Sequence, residues 1–338
     1  NQMDFNLVKK IFSYLLLLLK AKKVLRFPIK NQIVILDNVG SEKIIDLILG
    51  ERPSTIIDMR LKTVNVPILF LCLFSLNKYG KYVYYVVFIK YVEAKLAITF
   101  IDTSYYFCKI LKYIPDCKLA FIQNGRPGNY RYKNVEYNSL SCDYYFTNSK
   151  SWSNYASKYL NANYVEIGSI INNNFRKANH EKIRQMLWIS QWRPYREFIV
   201  INDVNIKHED IYKADTIILP LVSDFCKKHN LQLKILSVLG VDEEKLFYES
   251  IINEFEFHKT NKNTTPYRNY ELMSDDSMIV GVDSQLQYEA LARNYRTGFF
   301  SVRGHYIKNK SYTFSWPKKV NSSGTIWCNY PNKTEVYN

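Results

Sequence analysis

A chain of 338 residues, 47% hydrophobic and 23% charged, has the composition of a folded protein, not of a disordered one. It is long enough for two domains of ordinary size, since single cores rarely keep growing beyond roughly 250–300 residues. A formal charge of +15 points to an anionic partner: a nucleotide, an anionic membrane or nucleic acid. Lysines and arginines are spread along the chain and no finger, KH or RRM signature is present, which argues against nucleic acid. Six scattered cysteines form no CxxC pair and the five histidines are dispersed, so neither a disulfide framework nor a zinc centre is expected, and no cofactor is called for.

Taken in order, residues 1–29 read as a basic, amphipathic helix. Its apolar run Ile11–Leu19, followed by Lys20, Lys22, Lys23 and Arg26, is too short to span a bilayer and lacks a small-residue cleavage site. It suits packing on the body of the protein or lying on an anionic membrane; the expected location is cytoplasmic, with peripheral contact at the inner membrane face.

From residue 30 the pattern becomes α/β. Ile33–Leu36 is a strand, Ser41 opens a helix to about Leu49, and Thr55–Asp58 is a second strand. Helices follow over Pro67–Leu76 and Tyr82–Val92. The Leu96–Ile101 strand delivers Asp102 at its carboxyl end, where a carboxylate can serve as general base or nucleophile, or simply cap the helix Tyr105–Tyr113. Leu119–Ile122 ends in Gln123, Asn124, Gly125 and Arg126, a loop suited either to close approach to a phosphate or sugar or to a plain turn. Asp143–Thr147 and Tyr164–Ile167 are strands around a helix near Trp152–Leu160, the second ending in Gly168 and Ser169. Asn172–Arg176 reads as the linker between an N-terminal domain, 30–175, and a C-terminal one, 176–338.

The second half repeats the alternation. Met186–Ile189 leads into Ser190, Gln191, Trp192 and Arg193; a helix spans His208–His229; Leu233–Val238 is a strand; Asp242 caps a helix to Ile252; and Glu254–Phe257 is a short strand. Met278–Val282, a helix opened by Ser284, and Thr297–Val302 then form a strand–helix–strand unit. Its helix start attracts an anion, and Glu289 in its second turn is within reach of a sugar hydroxyl. A helix cap and a solvated carboxylate have the same sequence signature.

The motifs ITFID (98–102), FIQNG (121–125), the 143–147 strand, IGS (167–169), SQWRP (190–194), SQLQYEALAR (284–293), GFFSVR (298–303), FSWP (314–317) and GTIWCN (324–329) occur in an order that resembles the bacterial surface carbohydrate biosynthesis proteins. That resemblance implies a GT-B-like fold, two Rossmann-like domains facing across a cleft, with no obligatory metal. It implies a nucleotide-sugar donor, such as a CMP-sugar, held by Ser190, Gln191, Arg193, Ser284, Gln285, Tyr288 and Glu289. Arg193 would neutralise the leaving phosphate, and Asp102 would face the acceptor hydroxyl or the anomeric carbon. Gln123, Asn124, Gly125, Arg126, Gly168 and Ser169 would line the sugar or acceptor side. The expected activity is transfer to a polysaccharide or lipid-linked acceptor; a sugar-nucleotide epimerase and a catalytically silent scaffold are the alternatives.

Overall fold

The structure is a computed structural model in which residues 19–102, 104–125, 140–201, 204–260, 267–307 and 324–337 are described. The chain divides into two compact units, Asn1–Ile171 and Asn172–Asn338.

The strands of the first unit are β1 (Lys22–Val24), β2 (Ile33–Leu36), β3 (Thr55–Ile57), β4 (Thr63–Asn65), β5 (Leu96–Thr99), β6 (Lys118–Ile122), β7 (Leu140–Thr147) and β8 (Leu160–Glu166). Six of them form a wholly parallel sheet in the order β3-β2-β5-β6-β7-β8. Parallel sheets are covered on both faces, which is why Val34, Ile35 and Leu36 are all buried and why the strands read as unbroken apolar runs. The helices are α1 (Ser41–Ile44, continued by a wider turn through Leu49), α2 (Val66–Cys72), α3 (Leu76–Tyr79), α4 (Val83–Tyr91), α5 (Tyr106–Leu111) and α6 (Lys150–Ala156). The single helix expected over Pro67–Leu76 is in fact two. Asn65 caps the first by accepting from the Ile68 N–H at 3.1 Å, and the chain turns over Leu73–Ser75 before α3 begins. The helix placed near Trp152–Leu160 lies earlier, because Ser149 caps it through the Trp152 N–H and Leu160 already belongs to β8.

In the second unit the strands are β9 (Gln185–Ile189), β10 (Phe198–Ile201), β11 (Val204–Lys207), β12 (Gln232–Leu236), β13 (Glu256–His258), β14 (Ser277–Gly281), β15 (Arg296–Phe300) and β16 (Trp327–Cys328). The parallel sheet runs β13-β12-β9-β14-β15-β16; counted from β9 within that sheet this is 3-2-1-4-5-6, the dinucleotide-fold order. Its helices are α7 (His208–Lys228), α8 (Asp242–Glu249), α9 (Arg268–Glu271), α10 (Gln285–Ala292) and α11 (Lys333–Tyr337), with an antiparallel hairpin of β10 and β11 leading into α7. Asp242 is not the cap expected of it: Val241 holds that position and the Asp242 carboxylate pairs with Lys259.

Both units are α/β with parallel six-stranded sheets, as the sequence predicts, but their orders differ. The first, counted from β2, is 2-1-3-4-5-6. The strand order therefore reverses between β2 and β5 in one unit and between β9 and β14 in the other, and ligands of open α/β sheets bind at such reversals, outside the strand carboxyl ends.

Candidate functional site

In the second unit, Ser190 to Arg193 follow β9 and Asp283–Ser284 follow β14, so two of the predicted motifs flank the reversal. Arg303, which the sequence reading did not single out, ties them together. Its guanidinium is buried, donating from Nη1 to Asp283 Oδ1 at 2.8 Å, from Nη2 to Gln191 Oε1 at 2.9 Å, and from Nε to the Ile211 carbonyl at 3.1 Å. A second carboxylate, Asp215 on α7, lies 4.0 Å away. Burial pushes the Asp215 carboxyl up to about 6, with the Arg303 charge opposing the rise.

Ser190 is buried, and its hydroxyl donates to Glu244 Oε1 while accepting from the Tyr248 phenol at 2.9 Å. Glu244 in turn accepts from the backbone N–H groups of Val238 (2.8 Å), Leu239 (2.9 Å) and Gly240 (3.0 Å). These are the amides after β12, a concavity that elsewhere would hold an anion. Here the protein's own carboxylate fills it. Gly240 completes the turn at φ +73, where a Cβ would come within 2.1 Å of the Thr260 carbonyl oxygen.

Ser284 caps α10, and Gln287 reaches back to the Ser284 N–H at 2.8 Å while donating to the Gly298 carbonyl at 2.9 Å, which binds the helix start to β15. Gln285 approaches Glu289 Oε1 at 3.4 Å and Tyr288 packs on Phe299, ring centroids 4.8 Å apart. Glu289 is not a solvated carboxylate: it is 6% exposed and accepts the Tyr270 hydroxyl. Arg193 is exposed, its Nη1 bonding the Trp192 carbonyl at 2.8 Å.

In the first unit, Asp102 lies just beyond β5 and is buried, accepting from the Tyr145 phenol at 2.6 Å. Trp152 Nε1 donates to that same phenol oxygen at 3.1 Å. The cap of α5 falls at Tyr105, not at Asp102. Across the reversal, beyond β2, Asp37 adopts φ 76; it accepts from the Val39 N–H at 2.9 Å and from Arg60 Nε at 3.3 Å. Gly40 permits that turn, since a Cβ there would lie 2.9 Å from Phe100. Gln123, on the neighbouring strand end, is buried and stitches its own loop to the next by bonding the Gly125 carbonyl (2.8 Å) and the Asn148 N–H (2.7 Å). Asn124 is exposed and Gly125 half-buried; Arg126 lies outside the described residues. Gly168 and Ser169 follow β8, the edge strand of the sheet.

Among the described residues no group of three or more His, Cys, Asp or Glu is placed to hold a metal ion, and no helix is long and apolar enough to cross a membrane.

No curated protein matches the chain. Among solved structures it is similar to one described as "putative UDP-N-acetylglucosamine 2-epimerase from Listeria monocytogenes", at 11% identity and a TM-score of 0.47, covering 80% of this chain and 78% of that one. It is also similar to a UDP-GlcNAc 2-epimerase from Neisseria meningitidis bound to UDP-GlcNAc, at 11% identity and a TM-score of 0.42, covering 81% of each chain. A family model described as "putative O-antigen biosynthesis protein" matches residues 120–338, from within β6 through the whole second unit. The chain therefore belongs to that family, in line with the surface carbohydrate class that its motifs resemble.

Proposed function

We propose that this protein is a glycosyltransferase of O-antigen assembly that holds a nucleotide-activated sugar on its second unit and passes the sugar to a polysaccharide or lipid-linked acceptor. The observation that carries this reading is the convergence, at the reversal between β9 and β14, of the Ser190–Arg193 loop and the start of α10, locked together by the buried Arg303. Ser284 and the first-turn N–H groups of α10 suit a phosphate, and the exposed Arg193 of the loop after β9 is the proposed source of the charge that stabilises a departing nucleotide. Asp102 is the proposed base for the acceptor hydroxyl, with Tyr145 fixing its carboxylate.

The test is thermal unfolding of the purified chain with CMP, CDP, UDP, GDP and ADP, followed by incubation with the sugar form of whichever nucleotide binds. A ligand that binds only the folded state raises the melting temperature in proportion to the logarithm of its excess over the dissociation constant. Binding with sugar transfer that requires an acceptor supports the proposal. Conversion of the sugar to its epimer with no acceptor present identifies an epimerase instead. No stabilisation by any nucleotide at millimolar concentration leaves a scaffold as the better reading.

A further inference from the structure

Helix α2 and the turn after it carry the sequence Val66-Pro-Ile-Leu-Phe-Leu-Cys-Leu-Phe74, with no polar residue. Its inward face is marked by Ile68 and Cys72, buried one helical turn apart. A helix at the surface of a globular protein ordinarily turns polar residues outward. This one turns out Phe70, Leu73 and Phe74, exposed by 62%, 61% and 77%, and Leu76 at the start of α3 is 49% exposed. Phe70 and Phe74 pack edge to face at 5.7 Å, so the apolar side chains form one cluster.

The sequence around that cluster is basic. From Met59 to Val92 there is no aspartate or glutamate, while Lys62, Lys78, Lys81 and Lys90 are present and exposed; Arg60 is paired with Asp37. Strand β1 adds to it: β1 pairs in register with β4, which leads directly into α2, and the Arg26 carbonyl accepts from the Asn65 side chain at 2.8 Å. This sets exposed Lys22, Lys23 and Arg26 beside the start of α2, and from Leu19 to Leu36 there is again no acidic residue.

We propose that this face of the first unit docks on an anionic phospholipid surface, Phe70, Leu73, Phe74 and Leu76 entering the interface and Lys78 and Lys81 meeting the headgroups. Charge complementarity selects the occupant. A second copy of the chain would bring like charges together around the apolar contact, whereas anionic lipid offers continuous negative potential over hydrocarbon. A lipid surface also suits a lipid-linked acceptor, although the docking face stands on its own observations and not on the nucleotide site.

The experiment is flotation of the full chain with vesicles of phosphatidylcholine alone and of phosphatidylcholine mixed with phosphatidylglycerol. The variants are Phe70→Ser/Phe74→Ser and Lys78→Glu/Lys81→Glu. All four side chains are exposed, so both variants should fold, which circular dichroism and an unchanged nucleotide-induced melting shift verify. The native chain is expected to float with the anionic vesicles only, and each double variant to lose about tenfold or more in vesicle affinity. Added salt should weaken the native binding. No preference for anionic vesicles, or variants that bind as well as the native chain, would overturn the proposal. So would a native dimer that the Phe variant turns into a monomer without any vesicle binding, because the face would then join two copies. Failure of the nucleotide to bind leaves this result untouched and counts only against the transferase reading.

Discussion

Tyr270 donates its hydroxyl hydrogen to Glu289 Oε2, and Asn172 holds the backbone carbonyl of the same glutamate at 2.9 Å. Burial drives the Tyr270 phenol far above its ordinary range, with the Glu289 charge adding to the rise, so it stays a donor at any working pH. The carboxylate expected to reach a sugar hydroxyl is thus already oriented by an internal phenol. Tyr270→Phe should cost about 1–3 kcal/mol of stability by removing that donor. If Glu289 binds the nucleotide, this variant keeps the nucleotide-induced rise in melting temperature while Glu289→Ala loses it. Equal responses in the two variants would assign Glu289 a purely architectural role.

Arg303 stands between two buried carboxylates, and its removal leaves both without their counter-charge. Arg303→Met should destabilise the protein at pH 8 by roughly 3–5 kcal/mol. Pairing it with Asp283→Asn should recover part of the loss, since a neutral amide tolerates burial better than a lone carboxylate. Urea unfolding of the single and double variants measures the coupling; strict additivity would show that the bond between Arg303 and Asp283 is energetically idle.

Asp215 gives a pH signature of known sign. Its folded value is near 6 against an ordinary 3.8, so between those limits the folded protein binds the extra proton. Stability contributed by that proton is complete below about pH 4 and is lost as pH rises through 6, on the order of 2–3 kcal/mol in all. Asp215→Asn should therefore be more stable than the native chain at pH 7.5, with the difference vanishing near pH 4. A variant less stable than the native chain at pH 7.5 would mean that attraction to Arg303 outweighs burial.

Glu244 answers to four donors, one hydroxyl and three amides. In Glu244→Gln the side-chain NH2 must face at least one of those donors, so we expect a loss of about 2–4 kcal/mol. The amides of 238–240 should also exchange with solvent much faster, while those of β14 should not. Unchanged exchange at Leu239 and Gly240 would refute this view of the loop.

Much of the fold is legible in the sequence because a covered parallel strand writes itself as an apolar run: Ile33–Leu36, Leu119–Ile122 and Met186–Ile189 all fall inside observed strands. The short strands Lys22–Val24 and Thr63–Asn65 carry no such run, so their pairing was invisible. Lys22–Val24 is a strand where a helix was expected over residues 1–29, of which 1–18 lie outside the described residues. The break between α2 and α3 was marked only by Ser75, the residue before α3, in an otherwise apolar stretch. At the site, the strand ends were readable as places, since polar loops follow each apolar run. Their partners were not. Arg303 lies within the GFFSVR motif, yet nothing local says that it reaches Gln191 and Asp283, and Glu244 is the one buried acid in the first turn of α8, beside Asp242 and Glu243. Tyr145 and Tyr270 are two of 28 tyrosines, and only the fold selects them.

The carboxylate seated in the β12 loop also bears on how a ligand would be met. Because Glu244 already satisfies the amides of Val238, Leu239 and Gly240, that loop has no charge to wait for and no ordering left to undergo when a nucleotide arrives. The wall of the crevice on that side is set in advance, and the entropy of arranging it is spent during folding and not at binding. Inorganic phosphate should find no purchase there.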